Sequence, residues 1–88
     1  MTVRFKESFT KDLRAIRDKS LLERLREIIE EVEKAKSLAD LTGVKKLRGG
    51  GAYYRIRVAD YRVGLALEES GVVFVRVLHR REVYRYFP

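Results

Sequence analysis

From Tyr53 onward the chain changes character at every second residue, and this alternation limits the possible folds more than any other feature. Tyr54, Ile56 and Val58 are apolar or aromatic, with Arg55 and Arg57 between them. A strand has a side-chain period of two, so one set faces a core and the other faces away. Apolar runs bounded by turn residues continue to Leu78 and predict three antiparallel strands: Ala52–Val58, Tyr61–Glu68 and Val72–Leu78. A two-residue turn at Ala59 and Asp60 sets Val58 opposite Tyr61, Arg57 opposite Arg62, Ile56 opposite Val63 and Arg55 opposite Gly64. Ala59 is an unusual residue for the positive φ of such a turn. Reading Glu69–Gly71 as a three-residue turn, with Gly71 left-handed, pairs Gly64 with Arg76.

In this register the face away from the core carries Arg55 and Arg76 on either side of a glycine and Arg57 across from Arg62. Like charges directly opposite one another are unfavourable, so the arrangement calls for an anion. Rows on one strand face lie about 7 Å apart, a spacing that suits successive phosphates of an extended nucleic acid. Gly64 and Ala66 leave the middle strand without bulk, which predicts close approach of a backbone or base. The alternative is a solvated face whose arginines pair with glutamates of a neighbouring element.

The first half is helical. Val3 and Phe5 alternate with Arg4 and Lys6 as a short strand, and Phe9, Leu13 and Ile16 predict a helix over about Thr10–Asp18. Ser20 and Glu23 have the spacing of a capping box at the start of a second helix, whose stripe is Leu21, Leu25, Ile28, Val32 and Ala35. Residues 37–51 lack a clear period and end in three glycines, predicting a loop that carries at most a short turn. The last ten residues, "HRREVYRYFP", predict a tail against the sheet, with at least one of Tyr84 and Phe87 packed inward. The fold class is α+β, with an N-terminal strand and an α-helical hairpin packed on one face of a small, largely antiparallel β-sheet. Its 88 residues make one domain, 1–88.

Charge narrows the function. Residues 1–43 hold ten Lys and Arg against nine Asp and Glu, a net of +1, whereas residues 44–88 hold ten against four, a net of +6. The excess lies in the half that carries the arginine face and points to an anionic partner. Without Cys and with one His, thiolate and structural zinc sites are excluded, and the carboxylates of the second half are too few for a two-metal nuclease. The three glycines precede no Gly-Lys-Ser or Gly-Lys-Thr, and no serine has a nucleophile-elbow setting. No run is long and apolar enough to span a membrane and no signal peptide opens the chain, so the expected location is cytoplasmic, with no cofactor, no metal and no membrane partner.

Metal-free RNA cleavage fits what remains. The 2′-hydroxyl of the substrate attacks its own phosphate, and the protein positions, neutralises charge and moves protons. His79 can move protons near neutral pH, the phenols of Tyr84 and Tyr86 can donate, and a guanidinium suits charge stabilisation better than proton abstraction. His79 has an equally plain reading as a satisfied histidine at a strand end.

"KKLRGGGAYYRIRVADYRVGL" and "VRVLHRREVYRYF" resemble the RelE/ParE superfamily of toxins from toxin-antitoxin pairs, and the RelE branch more closely. The resemblance spans nearly the whole chain. It implies a RelE-like toxin domain acting as a ribosome-dependent endoribonuclease on messenger RNA in the A site, with the 70S ribosome and a cognate antitoxin as partners. It assigns catalysis to Arg55, Arg57, Arg62, Arg81 and either Tyr84 or Tyr86. Where the best-studied members carry lysines this chain has Arg55 and Arg57, so His79, helped by Glu82, is the expected base or acid. Lys45, Lys46, Arg48, Arg76 and Arg80 are expected to bind RNA. The competing readings are a ParE-type inhibitor of DNA gyrase without nuclease activity and an inactive regulatory module with the same basic face.

Overall fold

The computed structural model describes residues 1–88. In chain order the elements are β1 (Val3–Phe5), α1 (Glu7–Ala15), α2 (Lys19–Lys34), a 3-10 turn (Leu38–Asp40), β2 (Val44–Lys46), β3 (Tyr53–Val58), β4 (Tyr61–Glu68), β5 (Gly71–His79) and α3 (Val83–Tyr86). The strands form one sheet in the order β1-β5-β4-β3-β2, with only the β1–β5 pair parallel. The expected α+β architecture is present, with two elements added. Residues 44–46 pair with β3 as an edge strand instead of remaining loop, and the tail forms a one-turn helix.

Alternation along β3 and β4 fixes their register as expected, with Val58 opposite Tyr61, Arg57 opposite Arg62 and Arg55 opposite Gly64. Ala59 accepts the strain of the turn, with φ 53°. Gly64 does pair with Arg76, but by a different route. Glu68 pairs with Gly71, so the turn has two residues rather than three, and a bulge at Val75 then restores the register. Glycine is required at position 71: φ is 139°, and a Cβ would stand 2.1 Å from the Thr2 carbonyl oxygen, where β1 joins the sheet.

The helices cover one face of the sheet. Phe9 from α1 and Leu21, Leu25, Ile28 and Val32 from α2 bury against Ile56, Val58, Val63, Leu65, Phe74 and Val77. These are the alternate strand residues, brought together because helical and strand periods both segregate apolar from charged positions. The first helix begins three residues earlier than its apolar spacing suggests, at Glu7, because Lys6 already accepts from the amides of Phe9 and Thr10. Along the β5 edge beyond β1, α1 also supplies partners for open backbone groups: Ser8 donates to Val75 O (2.6 Å) and Asp12 accepts from Val77 N (3.1 Å).

Asp18, rather than Ser20, caps α2. Its carboxylate accepts from the amides of Ser20 and Leu21 and from the Ser20 hydroxyl. The capping box expected from Ser20 and Glu23 therefore starts two residues too late. These bonds, led by the Ser20 hydroxyl, hold the Asp18 pKa below its ordinary 3.8. A depressed carboxyl pKa favours the folded state above the unfolded value and loses that contribution as the pH falls through the folded one. Asp18→Ala is therefore expected to melt earlier than wild type at neutral pH, and the gap should close on acidification below 3.8. Parallel thermal melts across the acid range would show this, whereas a gap independent of pH would assign the loss to helix propensity alone.

The second face carries a smaller apolar layer. Val73, Val83 and Phe87 are buried but lie outside the main core cluster. Val83 and Phe87 are four residues apart, so they share one side of the α3 turn, and the Phe87 amide donates to Val83 O. The Phe87 ring occupies the space left by Gly64: a Cβ there would lie 2.8 Å from three of its carbons. The gap expected to admit a nucleotide is filled by the chain's own tail.

Candidate nucleic-acid interface

Arg62 sits at the centre of the second face, with its alternation partners Arg55 and Arg57 on the neighbouring strand. Only 8% of it is exposed, which overturns the expectation of an exposed-face residue. Its Nη1 donates to the carbonyls of Ala59 (2.9 Å) and Tyr61 (2.8 Å), tying the guanidinium across the strained turn. No carboxylate lies within ion-pairing distance of it. Burial first, then the charges of Arg57 and Arg55, lower its pKa from the ordinary arginine value. A buried cation held among other cations without a counter-charge is costly, and a bound anion would relieve that cost.

Arg55 adds a second unmet demand, because its Nε is buried without a hydrogen-bond partner. It lines a cleft of about 350 Å³ with Lys45, Lys46 and Arg48 from the β2 segment and Tyr84 and Phe87 from the tail. Lys45 stands directly across from Arg55. Three of the expected RNA-binding residues thus join two expected catalytic ones, Arg55 and Tyr84, in a single basic depression. Arg57 is exposed beside it.

The short helix separates the two candidate tyrosines. At about 100° per residue, Tyr84 and Tyr86 project to opposite flanks of the side that carries Val83 and Phe87. Tyr84, 62% exposed, opens into the basic cleft that Arg55 lines. Tyr86 instead lies beneath Arg76, whose guanidinium carbon is 5.6 Å from the ring centre.

Arg76 has a counter-ion of its own. Its Nε and Nη2 meet the Asp12 carboxylate at 2.7 and 2.9 Å, and this bond first of all raises its pKa. The anion that Arg76 faces is therefore supplied from α1. Arg80 approaches Asp60 at 4.0 Å, and the Arg81 side chain is exposed beyond the end of β5.

His79 is on the other face. It pairs across strands with Tyr61, and the two rings meet edge to face at 5.6 Å. Tyr61 packs against the main core, so His79 lies on the helix side, in a cleft with Asp12, Ile16 and Glu82. Its Nδ1 accepts from the Arg81 amide at 3.2 Å, which leaves Nε2 to carry the proton of the neutral ring. His79 and Glu82 line the same cleft, on the opposite face from Arg55, Arg57 and Arg62.

The arginine face can thus bind an anion, neutralise charge developing on it and present one phenol. No group of three or more His, Asp or Glu side chains is arranged to hold a metal ion. Phe87, one of the two tail aromatics of which at least one was expected inward, is the one buried, and Asp12 is the member that sequence reasoning passed over. The four-residue spacing of Val83 and Phe87 was the available signal for the first, and nothing local marks the second.

The chain is similar in sequence and fold to known proteins. The family pattern described as ParE toxin of type II toxin-antitoxin system, parDE, matches residues 3–84. Toxin RelE3 of Methanocaldococcus jannaschii is 43% identical over 89 residues, covering 100% of both chains. A chain of the RelB-RelE antitoxin-toxin complex from Methanococcus jannaschii superposes with a TM-score of 0.82 at 39% identity, covering 97% of this chain and 99% of that one. A chain of the toxin-antitoxin complex RelBE2 from Mycobacterium tuberculosis follows with a TM-score of 0.69 at 26% identity, covering 90% of each.

Proposed function

This chain belongs to the RelE/ParE superfamily of toxins from type II toxin-antitoxin systems, and we propose that it is a metal-independent endoribonuclease that cuts messenger RNA in the ribosomal A site. The observation that carries the proposal is Arg62: a buried guanidinium with no carboxylate partner, flanked by Arg55 and Arg57, with Tyr84 in the adjoining cleft beside Arg55. In the reaction the 2′-oxygen bonds to phosphorus, the bond to the 5′-oxygen breaks and a 2′,3′-cyclic phosphate forms. Arg62 and Arg55 stabilise the charge on the phosphorane oxygens, and Arg57 holds the adjoining phosphate. Tyr84 protonates the departing 5′-oxygen, and water takes the 2′ proton. His79 is not assigned a part. Two carboxylates that could serve instead, Asp12 and Glu68, are already paired with Arg76 and Arg4. The ribosome supplies the substrate geometry, so the protein need only complete it.

The restraining partner is a cognate antitoxin whose acidic segment covers the same arginines. The structural relatives described above were solved as antitoxin-toxin complexes.

Primer extension on a defined message in programmed ribosomes, with free RNA and with a chelator as controls, tests the reading. Cuts confined to the A-site codon, dependent on ribosomes and indifferent to chelator, are expected. The matched family pattern and the position of His79 favour one other reading, inhibition of DNA gyrase. An intact message together with arrested supercoiling would select it.

A further inference from the structure

We infer that Phe87 is the positioning residue for Tyr84, and that Gly64 is the seat that makes the positioning possible; the inference rests on the nuclease reading above. A single helical turn has no stability of its own, so the place of α3 is set by what it buries. That is Val83 and Phe87, 0% and 2% exposed. Phe87 lies face-on over Gly64, with three ring carbons each 2.8 Å from where a Cβ would stand, and the Tyr53 ring meets it edge-on at 5.6 Å. Glycine in the interior of a central strand weakens the strand and here gives room to one ring. Tyr84 is carried on the same turn, so the depth of the Phe87 ring decides how far the phenol stands from Arg62. On the opposite flank, Tyr86 under the Asp12-bound Arg76 keeps the turn from rolling. Phe87 never touches the reacting atoms; it acts through Tyr84.

Because the ring lies flat on the strand, Gly64→Ala must lift it bodily while deleting no group. Phe87→Ala removes the ring, and Phe87→Leu returns most of its volume. The full-length variants are compared in single-turnover cleavage on programmed ribosomes, alongside the proton NMR contact between the Gly64 Hα atoms and the Phe87 ring. Gly64→Ala and Phe87→Ala are each expected to slow cleavage at saturating toxin about 10- to 100-fold, the scale of a misplaced catalytic group. The half-saturating concentration should stay within about twofold of wild type. Phe87→Leu should recover most of the rate, and the double variant should be no slower than Phe87→Ala, since the clash has gone. Should Phe87→Ala fail to fold, Gly64→Ala and Phe87→Leu make the same comparison. A displaced ring with an unchanged rate overturns the inference, as does an effect confined to the half-saturating concentration. A wild-type protein that shows the NMR contact and cuts nothing removes the nuclease reading and the positioning role with it.

Discussion

Arg62→Ala is expected to abolish cleavage and, in the same protein, to lower the melting temperature. Removing one preorganised donor from a developing oxyanion typically slows catalysis about 10²- to 10³-fold. Arg62 is the donor that the fold holds most firmly, through two carbonyls of the β3–β4 turn. Those carbonyls lose their partner in the alanine variant, beside a residue at φ 53°, at a cost of about 1 kcal/mol that removal of a buried, unpaired cation offsets in part. Arg62→Lys separates the two effects. It keeps a charge and a nitrogen able to serve the two carbonyls, which Arg62 meets through Nη1 alone, but it lacks the planar fork that grips a phosphate, so it should lose part of the activity at a smaller cost in stability. Primer extension and thermal melts on the same preparations decide the matter. Full cleavage by a folded Arg62→Ala protein would remove this residue from the site.

The second large effect separates the tyrosines. Tyr84→Phe is expected to slow cleavage about 10²- to 10⁴-fold, the range for loss of a general acid, while leaving the fold intact, since the side chain is 62% exposed. Tyr86→Phe keeps the ring that lies under Arg76 and should be nearly silent. Rates measured under single-turnover conditions distinguish the proton step from binding. Two small effects would mean that neither phenol donates, and a large loss only at Tyr86 would invert the assignment made from the geometry.

What the sequence revealed and what it hid follow from the range of the interactions involved. The β3–β4 hairpin was legible because alternation and a short turn leave one register that buries Ile56 and Val63 together. The edge strand β2 was not, since Val44-Lys45-Lys46 offers one apolar residue and no period. The 3-residue turn at Glu69–Gly71 was wrong, yet its pairing of Gly64 with Arg76 was right, because the bulge at Val75 adds the residue that the turn lacks. Continued by three residues, that same register places His79 beside Tyr61 and off the arginine face; ending the strand at Leu78 concealed this. The Asp12–Arg76 bond links residues 64 positions apart, and no local pattern announces it. Burial of Arg62 was missed for a related reason, since a period of two separates faces but does not say which face a tail will cover.

The way α1 finishes the sheet has a consequence for the life of the free toxin. Beyond β1, the open backbone groups of β5 are taken up by Ser8 and Asp12, and the far edge of the sheet, β2, is three residues long and carries Lys45 and Lys46. A long, flat, uncharged edge would invite strand addition from another copy and growth into aggregates. This chain offers no such template on either side. Strand addition would have to start from β1 or β2, each three residues long, rather than from a long ladder of open backbone groups.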